Sequence, residues 1–203
     1  MTLERGQPWG STAPLPDDGI IVASDTEAAS AVATARAAGR AVPVLGLVGG
    51  DLCRTLGGTG DAARLRTSDA VTLPVDIAEV DVDGDVHVFL AHVIARRSWW
   101  RGQVWAAMNA EWLGRWDIAP RAHPGDGLLD TFDASLGLRD RARARRRLET
   151  GTHLPHPAIE QHRVPAARVA LDEPLDIWVD GRRIGRARSL SVRVTGELVD
   201  VVV

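Results

Sequence analysis

The chain has no lysine, no tyrosine, a single cysteine and only two phenylalanines. It also lacks any apolar run approaching the roughly 18 residues needed to span a bilayer. Each absence closes a class of function. Without lysine there is neither a P-loop lysine nor a Schiff-base lysine. All 24 basic residues are arginine, which together with abundant alanine reflects genome composition rather than chemistry. One cysteine excludes an intrachain disulfide framework and a multi-cysteine zinc site. Cys53, set among Leu52, Arg54 and Leu56, reads as a small core residue. The opening M-T-L-E-R-G-Q-P-W-G has no apolar signal stretch, so the expected compartment is the cytoplasm. A net charge of -3 gives no bulk attraction to nucleic acid, and none is expected as a partner.

What is present suits a globular protein, with 45% hydrophobic residues in 203, enough for one large domain or two small ones. Residues 1–18, rich in turn formers including Pro8, Pro14 and Pro16, read as a flexible arm. Ile20 to Val22 form a short apolar run. Ser24 or Asp25 then caps a helix running to Gly39, with Glu27 in its first turn. A second apolar run, Val42 to Val48, leads through Gly49 and Gly50 into the helical turn D-L-C-R-T-L-G, completing a β-α-β-α unit of a parallel sheet over residues 19–74. From Val75 the apolar period becomes two. Asp83-Gly84 and Asp180-Gly181 mark hairpins, Thr195-Gly196 a further turn, and Leu136 to Thr150 one helix. The predicted fold is therefore α+β: a partial α/β parallel-sheet unit followed by an antiparallel β-sandwich over residues 75–203.

Three signatures lie in the second half. Asn109 to Asp130 reads N-A-E-W-L-G-R-W-D-I-A-P-R-A-H-P-G-D-G-L-L-D, Gly151 to Pro157 reads G-T-H-L-P-H-P, and Asp180 to Arg182 reads D-G-R. Their order and spacing resemble the diacylglycerol and lipid kinase family, part of the NAD kinase-like superfamily. The resemblance covers roughly residues 20–203. It implies an α/β nucleotide domain, a β-sandwich domain and a lipid site in the cleft between them. It also implies that Asp180 stands where the family has a general base for the lipid hydroxyl, and that Asp126 can hold a structural magnesium. Asn109 and Arg182 then fall beside the substrate. On the residues alone, Asp180-Gly181 is an ordinary hairpin turn, Asp126 another turn and Asn109 a hydrogen-bonded strand end.

The departures from the family pattern concentrate where phosphate is held. The glycine cradle G-G-D-G-T falls on A-S-D-T-E, Ala23 to Glu27, keeping only Asp25. Glycine is needed there for positive φ and close backbone approach to phosphate. Glu27 adds a carboxylate that competes for the same positive helix end. The second nucleotide loop survives as Gly49, Gly50 and Asp51 with Arg54 and Leu56, but Val48 replaces a threonine and Gly50 an asparagine. The resemblance places an N-P-x-S-G loop tens of residues upstream of Ala23, so that loop is expected to be missing. A long insertion is reduced to R-S-W-W-R-G, Ser98 among its residues, and Arg182 replaces the glutamate of D-G-E. An arginine there favours the ionised form of Asp180, or binds an anionic head group.

His153, His156 and His162 have no presentation suited to metal, since Pro155 interrupts them. Arg139 to Arg147 puts six arginines in nine residues. They wrap around all sides of a helix, as a solvated face first and an anionic membrane contact second. Adjacent Trp99 and Trp100 on a strand point to opposite faces, so one leaves the local core for a dimer interface or a lipid surface. The leading expectation is a degenerate diacylglycerol kinase homologue, a pseudoenzyme without ATP-dependent transfer. It would keep a binding or scaffolding role for a lipid or an acidic small molecule, and no cofactor is expected. Two readings stay open beside it: a kinase using ATP and magnesium completed by homo-oligomerisation, and a structural interaction module.

Overall fold

In the computed structural model, residues 9–203 are described. Residues 1–8 of the expected arm lie outside them. The rest of that arm is docked. β1 (Ser11–Thr12) pairs with the start of β4 (Val71–Val82), Leu15 is buried, and the Trp9 indole donates to the Pro74 carbonyl at 3.0 Å.

The β-α-β-α unit forms as its punctuation predicts. β2 (Ile20–Val22) and β3 (Leu45–Leu47) pair in parallel around α1 (Asp25–Ala37), and α2 (Asp51–Thr55) follows. Ser24 caps α1 from extended backbone, its hydroxyl accepting the Glu27 amide at 3.2 Å. The helix stops at Gly39, whose φ of 63° suits glycine.

The second half is antiparallel and shares its sheet with the first. β4 pairs with β5 (Asp85–Phe89) across the Asp83-Gly84 turn. β6 (His92–Arg96), β7 (Val104–Met108), β10 (Leu129–Ala134) and β11 (Ile159–Val164) then pair in that order, with β11 at the far edge of the sheet. β12 (Ala166–Val179) and β13 (Arg182–Val202) close the sandwich, and β8 (Trp112–Leu113) with β9 (Trp116–Asp117) form a separate hairpin. β13, 21 residues long, pairs with β12 and β4 and then runs parallel to β3, so one 11-stranded sheet contains both halves. The division expected at residues 74 and 75 falls inside β4.

One expected turn is a bulge instead. Thr195-Gly196 does not reverse the chain; it shifts the β13 register between Val194 and Leu198, with Gly196 at φ 79° and the Thr195 hydroxyl donating to the Ile77 carbonyl. A second register shift lies inside β12, between Ala170 and Leu175. Such bulges bend long strands so that one strand serves both layers of a sandwich.

One core lies under α1 and α2 around Leu45, Leu52, Ile77 and Leu90, and includes the buried Cys53. A second fills the sandwich around Phe89, Trp105, Leu175 and Ile177. Full burial of each such large side chain stabilises the fold by about 1.5–3 kcal/mol. A third packs Ile94, Met108, Ile118 and Phe132 beneath α3 (Leu138–Arg147). Trp99 and Trp100 sit in a loop rather than a strand. Trp99 packs edge-on against Trp116, while Trp100 remains 48% exposed. No helix among the described residues is long and apolar enough to cross a membrane.

Candidate functional site

The turn between β12 and β13 brings Asp180 against the start of β6. Asp180 has φ 46° and is buried, and its carboxylate accepts from the backbone amides of Leu90, Ala91 and His92 at 2.9, 3.0 and 2.8 Å. Its own amide donates to the His92 carbonyl at 2.9 Å, and its carbonyl accepts from the Thr26 hydroxyl in the first turn of α1. Burial pushes the Asp180 carboxyl up to about 6, against the opposing charge of His92. The expected lowering by Arg182 does not occur, because Arg182 is exposed while the carboxylate is sealed away from water.

His92 was not expected from the sequence. Its Nε2 lies 2.9 Å from Asp51 Oδ2 and its Nδ1 has no protein partner. Burial opposes protonation, but the bond to Asp51 and the charges of Asp180, Asp51 and Asp25 raise the imidazole above its ordinary value. The signal available was a titratable residue inside the apolar run V-F-L-A-H-V-I-A, where a buried histidine needs a partner.

Asp25 completes the corner. Its carboxylate accepts the amides of Asp51 at 2.7 Å and Leu52 at 3.1 Å, and burial raises its pKa. Gly50 is required by this approach: at φ 95°, a Cβ there would stand 2.4 Å from Asp25 Oδ1. Gly49 is held equally closely, with a Cβ falling 2.4 Å from the Ala23 carbonyl oxygen. Asp51 Oδ1 accepts the Gly114 amide at 2.7 Å, tying α2 to the long signature stretch. Asp25, Asp51 and His92 can each offer one metal-ligating atom within 4.8 Å of the others.

At the start of α1 the chain supplies its own acceptors for two amides. Glu27 Oε2 accepts the Ala23 amide at 2.8 Å while Ser24 Oγ accepts the Glu27 amide, a reciprocal arrangement like a capping box. Both helix starts where the family resemblance places phosphate therefore hold carboxylates of this chain.

The remaining expected residues lie outside this corner's acid-base contacts. Asn109 is buried at a strand end, donating to the Leu90 and Asp76 carbonyls at 2.8 and 3.2 Å. Asp126 accepts the Leu128 amide at 3.1 Å and forms an ion pair with Arg163. That guanidinium neutralises the carboxylate a magnesium ion would require, so this donor set fits an ion pair better than a cation site.

A second feature lies beneath α3. An apolar cavity of about 100 Å³ is lined by Ile94, Trp99, Ala106, Trp116, Ile118 and Phe132, with Arg141, Ala144 and Arg145 of α3 above it. Arg141 is buried rather than solvated, contrary to the expected solvent face. It donates to the carbonyls of Leu136 at 2.8 Å, Trp99 at 3.3 Å and Gly102, fastening the helix to the tryptophan loop. Two lining polar atoms, His153 Nδ1 and Trp116 Nε1, are buried without a protein partner. Burial lowers the His153 imidazole to about 4, leaving it neutral.

Residues 69–203 match the family described as the YegS C-terminal NAD kinase beta sandwich-like domain. Among solved structures, a candidate diacylglycerol kinase from Bacillus anthracis str. Sterne superposes with a TM-score of 0.65 at 17% identity, over 91% of this chain and 77% of that one. A diacylglycerol kinase from the same organism gives 0.54 at 15% identity, over 79% and 66%. At these identities the likeness shows the fold. No curated protein matches the chain.

Proposed function

The chain belongs to the family of YegS C-terminal NAD kinase beta sandwich-like domains, and from that membership we propose that it is a lipid-binding relative of the diacylglycerol kinases that does not transfer phosphate from ATP. The observation that carries this reading is that each of the two helix starts holds a carboxylate of this chain. Glu27 occupies the Ala23 amide and Asp25 the Asp51 and Leu52 amides, so a phosphate arriving at either place meets negative charge. The residues present do not fit ATP with magnesium. The cavity of about 100 Å³ under α3 has room for a short apolar segment of a lipid, with His153 Nδ1 and Trp116 Nε1 as neutral polar contacts.

One observation favours an active kinase instead. A carboxyl at about 6 beside a histidine is in the range useful to a general base near neutral pH. Three measurements separate the readings. Calorimetric titration of ATP with magnesium is expected to give no binding heat at millimolar ligand. A fluorescent fatty acid is expected to bind, and Ala144→Leu, which extends into the cavity, to weaken it at least about tenfold with little change in melting. Magnesium-dependent phosphorylation of diacylglycerol, abolished by Asp180→Asn, would overturn the proposal in favour of the active enzyme.

A further inference from the structure

The outer face of α3 carries a strong excess of positive charge. Residues 138–150 hold six arginines against two carboxylates, on a chain whose net charge is -3. The fold sorts these arginines instead of leaving them on all sides. Arg141 is buried, and Arg145 is half-buried over the rings of Trp100 at 4.8 Å and Trp116 at 4.7 Å. Arg139, Arg143, Arg146 and Arg147 are exposed, and at helical spacing they fall within an arc of about 100°. Arg143 reaches Asp140 at 3.6 Å. Arg139, Arg146 and Arg147 have no acidic partner among the described residues.

Apolar groups border this cationic face. Leu138 is 60% and Trp100 48% exposed, two of the five exposed large apolar side chains among the described residues. Ala142, one turn beyond Leu138, lines the same shallow depression as Trp100. A cationic face edged by leucine and tryptophan is the composition of an interfacial helix, in which arginines meet anionic head groups and the indole sits at the polar-apolar boundary. A nucleic acid would use the arginines, but it gives no reason to expose Leu138, and Arg145 already covers one face of the Trp100 ring. We infer that this face of α3, with Trp100 beside it, docks on an anionic bilayer surface. Docking rests on the face alone and stands whether or not the cavity beneath α3 takes a lipid chain.

The test is co-sedimentation of the full chain with phosphatidylcholine vesicles, with and without phosphatidylserine and free of diacylglycerol, which keeps the cavity out of the readout. Binding is expected only with phosphatidylserine, falling with salt, and with a blue shift of tryptophan emission. Replacing Arg139, Arg143 and Arg146 by Glu is expected to weaken binding by more than the roughly fivefold that each basic residue contributes. Trp100→Ser is expected to reduce both binding and the blue shift. The exposed arginines Arg40, Arg168 and Arg188, replaced by Glu, form a charge-matched control that keeps binding. Unchanged circular dichroism certifies that the variants fold. The inference is overturned by absence of pelleting, by equal loss in the control, or by tighter binding to a single-stranded oligonucleotide than to the vesicles.

Discussion

The corner around Asp180 and the cavity beneath α3 are both buried and both hold titratable groups, yet their charged groups are held differently. In the corner, the carboxylates of Asp180, Asp25 and Asp51 accept backbone amides from three separate segments. What remains without a protein partner there is His92 Nδ1 and Asn109 Oδ1. Around the cavity, His153 Nδ1 and Trp116 Nε1 stand unpartnered on apolar walls, and the charged group that reaches inward, Arg141, is consumed by carbonyls. The contrast teaches that residues resembling catalytic ones can serve as fasteners. The apolar space lies apart from them, beneath α3.

Breaking the fastener should have the largest effect. Asp180→Ala strands three buried amides and puts alanine at positive φ, so a loss of about 4 kcal/mol is expected in denaturant unfolding. A loss below about 1 kcal/mol would mean that Asp180 is not structural.

The same corner should set the pH dependence. The folded-state pKa of Asp180 lies above its ordinary 3.8, at about 6, and that of His92 is raised as well. Protons are therefore held more tightly in the folded state. The Asp180 contribution is fully present below 3.8 and is lost as pH rises through about 6, costing at most about 3 kcal/mol. The His92 contribution is lost at higher pH, through its raised value. Melting temperature should fall across this range, and His92→Gln should flatten the upper part of the profile. A rising profile would reverse the sign of the argument.

On the cavity side, Arg141→Met keeps the stem but removes the bonds to three carbonyls, for an expected cost of about 2 kcal/mol. It should also speed hydrogen exchange in α3 while leaving the corner protected. Uniform exchange changes would show that the two regions are coupled. The smallest effect is expected from Ser24→Ala, about 1 kcal/mol for a lost helix cap. A rescue of ATP binding by Glu27→Gly would sharpen the comparison further by showing that the self-filled donor blocks phosphate.

Much of the fold was legible because its determinants are local. Ser24 and Gly39 bracket α1, and Asp83-Gly84 and Asp180-Gly181 turn the chain where positive φ is tolerated. Legibility failed where the determinant was distant. β11, with its interior exposed, has no alternating apolar pattern and is defined by pairing to β10. Thr195-Gly196 carries turn residues but lies between two stretches of β13 that both pair with β4, so pairing overrode its local preference. Asp25, Asp51 and Asp180 were identifiable from the motif order. Their roles as acceptors were not, because the partner amides lie up to 90 residues away.

By itself the sequence determined the order of elements, the hairpin turns, the family resemblance and the exclusion of lysine chemistry, all of which depend on residue type and near-neighbour spacing. Only the tertiary structure decided which charges are buried and which are free. It made His92 the partner of Asp51, turned Arg141 inward while leaving Arg139, Arg146 and Arg147 outside, and closed both helix starts with the chain's own carboxylates. Burial and pairing are properties of segments brought together from far along the chain, and a charge's chemistry follows from them.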